Sequence, residues 1–187
     1  MMKVSSQRQA IPMTYAEYAL LPQDRNRYEV LDGELFMTPS PSVRHQVAAF
    51  ELASILRDHV SRHKLGRVLV APMDVMLSET NIVQPDILFL RTDRVPPGDA
   101  DNVRVAPNLI VEVISPSTAK EDREDKRTVY ARHGVAHYWI VDPGLRTLEM
   151  YSLAGESYEL TAEYSGDASA ASPLFPGLSI PLTQIWT

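Results

Sequence analysis

The chain contains no cysteine, which rules out a disulfide framework, a thiolate metal site and a thiol nucleophile. This fits a reducing compartment. Long apolar runs are missing as well: no stretch approaches the ~18–20 continuous apolar residues of a membrane span. The start of the chain carries Lys3, Ser5, Ser6, Gln7, Arg8 and Gln9, with none of the apolar core of a signal peptide. We therefore expect a cytoplasmic protein with no membrane partner, and a flexible segment over residues 1–12. An excess of positive charge is absent too. Lys and Arg number 18 against 24 Asp and Glu, a formal net charge of −6. That excludes the broad basic surface of an indiscriminate nucleic-acid binder. It leaves room for a local basic patch beside an acidic metal site.

What is present is enough for a core. The 187 residues suit one domain, 1–187, and 44% of them are hydrophobic. No repeat and no composition shift divides the chain. Thr14-Tyr15-Ala16-Glu17 is a capping-box pattern that starts a short helix ending by Pro22. Residues 27–31 and 34–38 read as strands joined by Asp32-Gly33, a hairpin dipeptide. After Pro39-Ser40-Pro41-Ser42 a long helix is expected over 43–64, with an apolar stripe of Val47, Phe50, Ile55, Leu56 and Val60 and Gly66 as its stop. Strands follow at 67–71, 74–77 and 83–90, then a polar loop over 91–105 and a buried strand at 109–115. Thr118-Ala119-Lys120-Glu121 opens a second capped helix that ends at His133-Gly134. Strands at 137–141 and 147–151 flank Asp142-Pro143-Gly144. A short strand near 157–160 and a closing segment 174–186 complete the chain. This order predicts an α/β fold, a mixed β-sheet flanked by helices.

Two acids stand in segments that otherwise read as buried: Asp86 in Gln84-Pro85-Asp86-Ile87 and Glu112 in Val111-Glu112-Val113-Ile114. Buried carboxylates need a partner or a metal. Two on separate strands are either acids at strand ends, exposed or salt-bridged, or a pair facing one point, where with water they suit a hard divalent cation. The helix after the second strand supplies a third group. At 100° per residue, Ala119, Asp122, Val129, Tyr130 and His133 lie within about 60° of Lys126, so the lysine points with the apolar stripe toward the sheet. Its partner is either Asp122, one turn earlier, as a plain helical ion pair, or the two acids. In the second case it could orient a water or stabilise charge on a phosphate.

The segments Tyr28-Glu29-Val30-Leu31-Asp32-Gly33-Glu34-Leu35, Gln84-Pro85-Asp86-Ile87, Val111-Glu112-Val113-Ile114-Ser115-Pro116-Ser117-Thr118 and Tyr138-Trp139-Ile140-Val141-Asp142-Pro143 occur in that order. With Asp122, Lys126 and Tyr130 they resemble the Uma-type endonuclease family, long described as a domain of unknown function, of the PD-(D/E)XK or restriction-endonuclease-like superfamily. The resemblance covers about 14–151. It implies a restriction-endonuclease-like fold, with Pro85-Asp86 as the PD element and Glu112 as the second metal-binding acid. Ile114 stands where the tripeptide's lysine would be. Ile110, Glu112 and Ile114 share a strand face, so no other residue of that strand can replace it. The resemblance implies that the lysine has moved to the next helix, as Lys126, the residue the helical face also singles out.

Other candidates are less defined. Glu29, facing away from Tyr28 and Val30, is either a further acid of the site or a solvent-facing strand residue. His45, at the start of the long helix, either touches the scissile phosphate or sits on the surface, the commoner place for such a histidine. Asp122 could position Lys126. Lys120, Arg123, Arg127 and Arg132 form either a basic edge for phosphates or a solvated face, and Tyr138 and Trp139 read as core. The leading expectation is a divalent-metal-dependent endonuclease acting on DNA. Asp86, Glu112 and the carbonyl of Val113 would hold Mg2+ or Mn2+, and a homodimer would serve to cut both strands. The alternatives are a non-catalytic nuclease-fold interaction or dimerisation module, favoured by Ile114 and the acidic charge, and a metal-dependent phosphoesterase of small molecules.

Overall fold

The computed structural model describes residues 11–186 except Gln23, Arg25, Pro39 and Ser117. Most of the segment expected to be flexible, residues 1–10, lies outside the described residues. Helix α1 (Tyr15–Tyr18) has the Thr14/Glu17 capping box read from the sequence. Strands β1 (Arg27–Leu31) and β2 (Glu34–Thr38) form the expected hairpin. Asp32 and Gly33 both have positive φ, 51° and 80°, as a tight two-residue turn requires. Helix α2 (Val43–Arg62) is capped by Ser42, whose hydroxyl accepts from the His45 N–H.

The long helix packs through a stripe that keeps Leu56 and Val60 of the expected set but not Phe50. His45, Ala48, Leu52, Ala53, Leu56, His59 and Val60 are buried, whereas Phe50 is 69% exposed. Small residues decide this, because Ala48 and Ala53 let the helix approach the sheet closely.

Strands β3 (Gly66–Val70), β4 (Val75–Ser78), β5 (Asn81–Val83) and β6 (Ile87–Arg91) come next. The single strand expected over 83–90 is therefore two strands in two sheets. Pro85 separates them: it has no N–H to give to a ladder and biases Gln84 away from helical backbone. Asp86 consequently stands at the mouth of β6, not inside a strand. Strand β7 (Leu109–Val113) leads into a helical segment that begins with a π-helical turn, Glu121–Lys126, and continues as α3 (Arg127–Arg132). Strands β8 (His137–Asp142), β9 (Thr147–Ala154), β10 (Ser157–Ser165), β11 (Ser169–Ala170) and β12 (Ile180–Pro181) complete the chain. β10 is longer than expected because a bulge between Leu160 and Ala162 lets it follow all of β9.

The main sheet has six strands in the order β10-β9-β8-β7-β6-β3, and a smaller sheet runs β2-β1-β5-β4. β7 and β8 are parallel, joined through α3, and the other pairs of the main sheet are antiparallel. Alternation along β6, β7 and β8 divides the core. Ile87, Phe89, Leu109, Val111, Trp139 and Val141 face α2 and the closing segment. Leu88, Leu90, Ile110, Tyr138 and Ile140 face α3 and the small sheet. The result is the expected mixed sheet with helices on its two faces. Among the described residues no helix is long and apolar enough to cross a membrane.

Candidate active site

The geometry of the site starts from the β6–β7 ladder. Ile87 is opposite Val111, so one step along each strand brings Asp86 beside Glu112. Glu112 shares its face with Ile110 and therefore points toward α3. Asp86 Oδ2 accepts from the Val113 N–H at 2.8 Å, tying the loop acid to the end of β7. β1, in the small sheet, adds Arg27 and Glu29 from one face of the strand by the same alternation.

The π-helical turn delivers the lysine. Such a turn makes roughly four and a half residues per revolution, so Asp122 and Lys126, four apart, lie on one face. A regular helix had been expected here. Both side chains point to the sheet and are buried, Lys126 at 4% exposure and Asp122 at 2%. Lys126 Nζ lies 2.9 Å from Glu29, 3.2 Å from Glu112 and 3.3 Å from Asp122. The Tyr138 hydroxyl donates to the Asp122 carbonyl at 2.8 Å, satisfying a backbone acceptor of the widened turn.

The sequence candidates thus converge. Glu29, His45, Asp86, Glu112, Val113, Asp122 and Lys126 all line one cavity of about 180 Å³. Glu29 is not solvent-facing: it is 2% exposed and its Oε1 accepts from the Gln84 N–H. His45 is not on the surface: its Nε2 lies 3.2 Å from Asp86 Oδ2. Two residues were missed. Arg27 Nη1 donates to Asp86 Oδ1 at 2.9 Å, and the Tyr130 hydroxyl donates to Glu112 Oε1 at 2.6 Å. Arg27 could have been found from its parity with Glu29 on β1, and Tyr130 from its place one turn past Lys126. The proposed basic helix edge is not free. Arg123 bonds Glu149, Arg127 bonds the Tyr158 carbonyl and covers the Tyr151 ring, and Arg132 pairs with Asp32.

Electrostatics divides the acids. Burial pushes Asp86 up, but His45, Arg27 and the Val113 N–H together outweigh it and hold the carboxyl well below the usual range. Glu112 is pushed up to about 8 by burial, only partly offset by Lys126, with Asp122, Asp86 and Glu29 adding repulsion. Burial also raises Asp122, again against Lys126. Lys126 is held well above its ordinary value: burial opposes its charge, but Glu112, Glu29 and Asp122 more than compensate.

Four carboxylates (Glu29, Asp86, Glu112 and Asp122) face two fixed cations, Arg27 and Lys126. The acids outnumber the cations, and burial answers part of the excess by raising Glu112 and Asp122 toward their neutral forms. Among the described residues no group of three or more His, Asp or Glu side chains stands in metal-ligand geometry. Magnesium does not need one, since it is commonly held by one or two carboxylates with water and substrate phosphate. Asp122 Oδ1 is buried at the site without a hydrogen-bond partner. Carboxylate oxygens are the ligands a hard divalent cation takes, so the residues fit the ion.

Comparison with known proteins bears on the family and the fold. The chain is 26% identical over 161 residues to the uncharacterized protein sll1609 of Synechocystis sp. (strain ATCC 27184 / PCC 6803 / Kazusa), covering 83% of this chain and 89% of that one. Its fold matches the crystal structure of a "putative nuclease belonging to DUF820" from Anabaena variabilis ATCC 29413 with a TM-score of 0.79 at 21% identity, over 94% of this chain and 98% of that chain. Residues 15–183 match the model of the Uma2 family, described as "Putative restriction endonuclease". The chain belongs to the Uma2 family and has its restriction-endonuclease-like fold.

Proposed function

We propose that the protein is a divalent-metal-dependent endonuclease that hydrolyses DNA phosphodiester bonds. The observation that carries this reading is the convergence of Asp86, Glu112 and Lys126, all buried, in one cavity at the end of β6 and β7. Buried charges cost several kcal/mol each unless compensated, so four buried acids with only two cations among them are poorly explained as scaffolding. Asp86, Glu112 and the Val113 carbonyl would hold Mg2+ or Mn2+. When bound, the ion supplies a polarised water and neutralises charge at the scissile phosphate.

The chain's own residues supply the rest. Lys126 keeps its proton at neutral pH, so it serves as a cationic donor to the phosphate oxygen that gains charge, not as a base. Glu29 and Asp122 hold its ammonium in place, and Tyr130 fixes the Glu112 carboxylate. Arg27, with a fifth of its side chain exposed, holds Asp86 and leaves the phosphate charge to Lys126 and the ion. Two such sites, in a homodimer, would cut both strands.

Supercoiled plasmid incubated with Mg2+ or Mn2+ tests the reading. Wild type should nick or linearise it. Asp86→Asn and Glu112→Gln should abolish cleavage, and Lys126→Met should slow it by about 10²–10³-fold, the cost of losing one transition-state donor. Circular dichroism should show the fold retained. A wild-type protein that cleaves neither DNA nor RNA with either metal contradicts the proposal. A second reading, a non-catalytic module, is favoured by one observation: both oxygens of Asp86 already accept hydrogen bonds, from Arg27 and Val113. Such a module would give no heat on calorimetric titration with magnesium.

A further inference from the structure

Beside the acid cavity lies a second depression of about 270 Å³, between α2 and the edge strand β3. His45 and Asp86 line both, so the two adjoin at the site acid. Phe50 and Ala53 of α2 and Val68 and Val70 of β3 form its apolar walls, and Gln46 and Arg57 add polar groups. Gln46, Phe50, Ala53 and Arg57 fall on one helical face by their spacing. Phe50 is 69% exposed and Val70 51%. An aromatic face thus stands open within reach of the acid proposed to hold the metal.

The charges near the site narrow what this groove takes. Arg27 is engaged with Asp86, Arg123 with Glu149 and Arg132 with Asp32, and the whole chain is acidic. A strand held mainly through its phosphates would need free cations. Stacking of a base on an aromatic side chain needs none, but it needs a base that is not already stacked in a duplex. Arg57 is tied only through a surface ion pair with Asp58, both more than half exposed. Such a pair is cheaply exchanged for a phosphate contact.

We propose that the groove is a nucleobase pocket. The base adjoining the phosphate at Asp86 lies against Phe50, Gln46 meets its edge, and Arg57 takes the next phosphate along the strand. The substrate is then single-stranded or locally unpaired DNA, such as a flap, a bulge or a displaced strand. The inference rests on the nuclease reading of the acid cluster and adds the class of substrate to it.

The test is a Phe50→Trp variant of the full chain, titrated with an oligo-dT strand and with a blunt duplex of the same length. Calcium replaces magnesium, so that binding is read apart from cleavage. Trp139 is buried and Trp186 donates to the Gly166 carbonyl, so wild type serves as the blank. The single strand should quench the introduced tryptophan and the duplex should not. Phe50→Ala should bind the single strand roughly tenfold more weakly, the loss of one base–aromatic stack. Equal quenching by duplex, or single-strand binding that ignores both variants, would overturn the pocket. So would tryptophan emission that changes with protein concentration alone, which would mean that a second copy covers Phe50. The two proposals fail separately. Plasmid cleavage without quenching leaves the acid site standing and removes the pocket, and quenching without cleavage does the reverse.

Discussion

Glu112 is a carboxyl held against its charge by burial and by neighbouring acids. Its carboxyl is almost fully buried and faces Lys126, Tyr130, Asp86, Glu29 and Asp122. With its titration pushed up to about 8, the folded chain without metal binds a proton there that the unfolded chain has released. The sign follows from that difference. A carboxyl raised in the folded state stabilises fully below its unfolded value, and the contribution is lost as pH rises through the folded value. Asp86, held low, behaves oppositely and contributes above its unfolded value. In chelator, therefore, thermal stability should decline between about pH 5 and 8, with Glu112 the main source. Magnesium or manganese should flatten the decline, because the ion takes the place of the proton. Glu112→Gln should make the decline shallower, leaving the part owed to the raised Asp122, and remove most of the response to metal. Melting temperatures across this range read the effect directly, and an identical pH slope in wild type and Glu112→Gln would contradict it.

At the scale of elements, sequence and structure agree where local chemistry decides and part where packing does. The Asp32-Gly33 turn, the Thr14 capping box and the β7–α3–β8 crossover follow from turn and cap chemistry and from apolar periodicity, and they stand where expected. So does the burial of Lys126. Its turn is π-helical, which no periodicity announced, but it leaves Asp122 and Lys126 on one face as a regular helix would. The split at Pro85 was signalled by the proline itself, but the run of apolar residues on either side hid it. Arg27, Glu29 and His45 come from elements distant in sequence, and only the packing of the small sheet and α2 against the main sheet shows that they share one cavity. On α2 the expected stripe gave weight to large side chains. Small ones, Ala48 and Ala53, sit on the sheet instead, with Leu52 fully buried beside them. Leu52→Ala should accordingly cost about 2–5 kcal/mol. Phe50→Ala should change stability by no more than about 0.5 kcal/mol. Urea denaturation of the two variants separates these faces, and comparable losses at both positions would contradict the packing described.

For the whole molecule, the main sheet acts as a platform whose two faces bring different groups to one end. The face toward α2 contributes His45, and the face toward α3 contributes Asp122 and Lys126. The ends of β6 and β7 place Asp86 and Glu112 between them. The acidic charge of the chain, a poor prospect for phosphate binding when read as a sum, includes four buried acids gathered at this end. A metal ion converts that spot from repelling phosphate to attracting it. Everything proposed about chemistry depends on this conversion. The most direct test is a crystal of the protein soaked in manganese and measured for anomalous scattering. The account predicts a peak between the Asp86 and Glu112 carboxylates, beside the Val113 carbonyl, that is absent from crystals of Asp86→Asn. An empty cavity at saturating manganese, or an ion bound only away from these two acids, would contradict it.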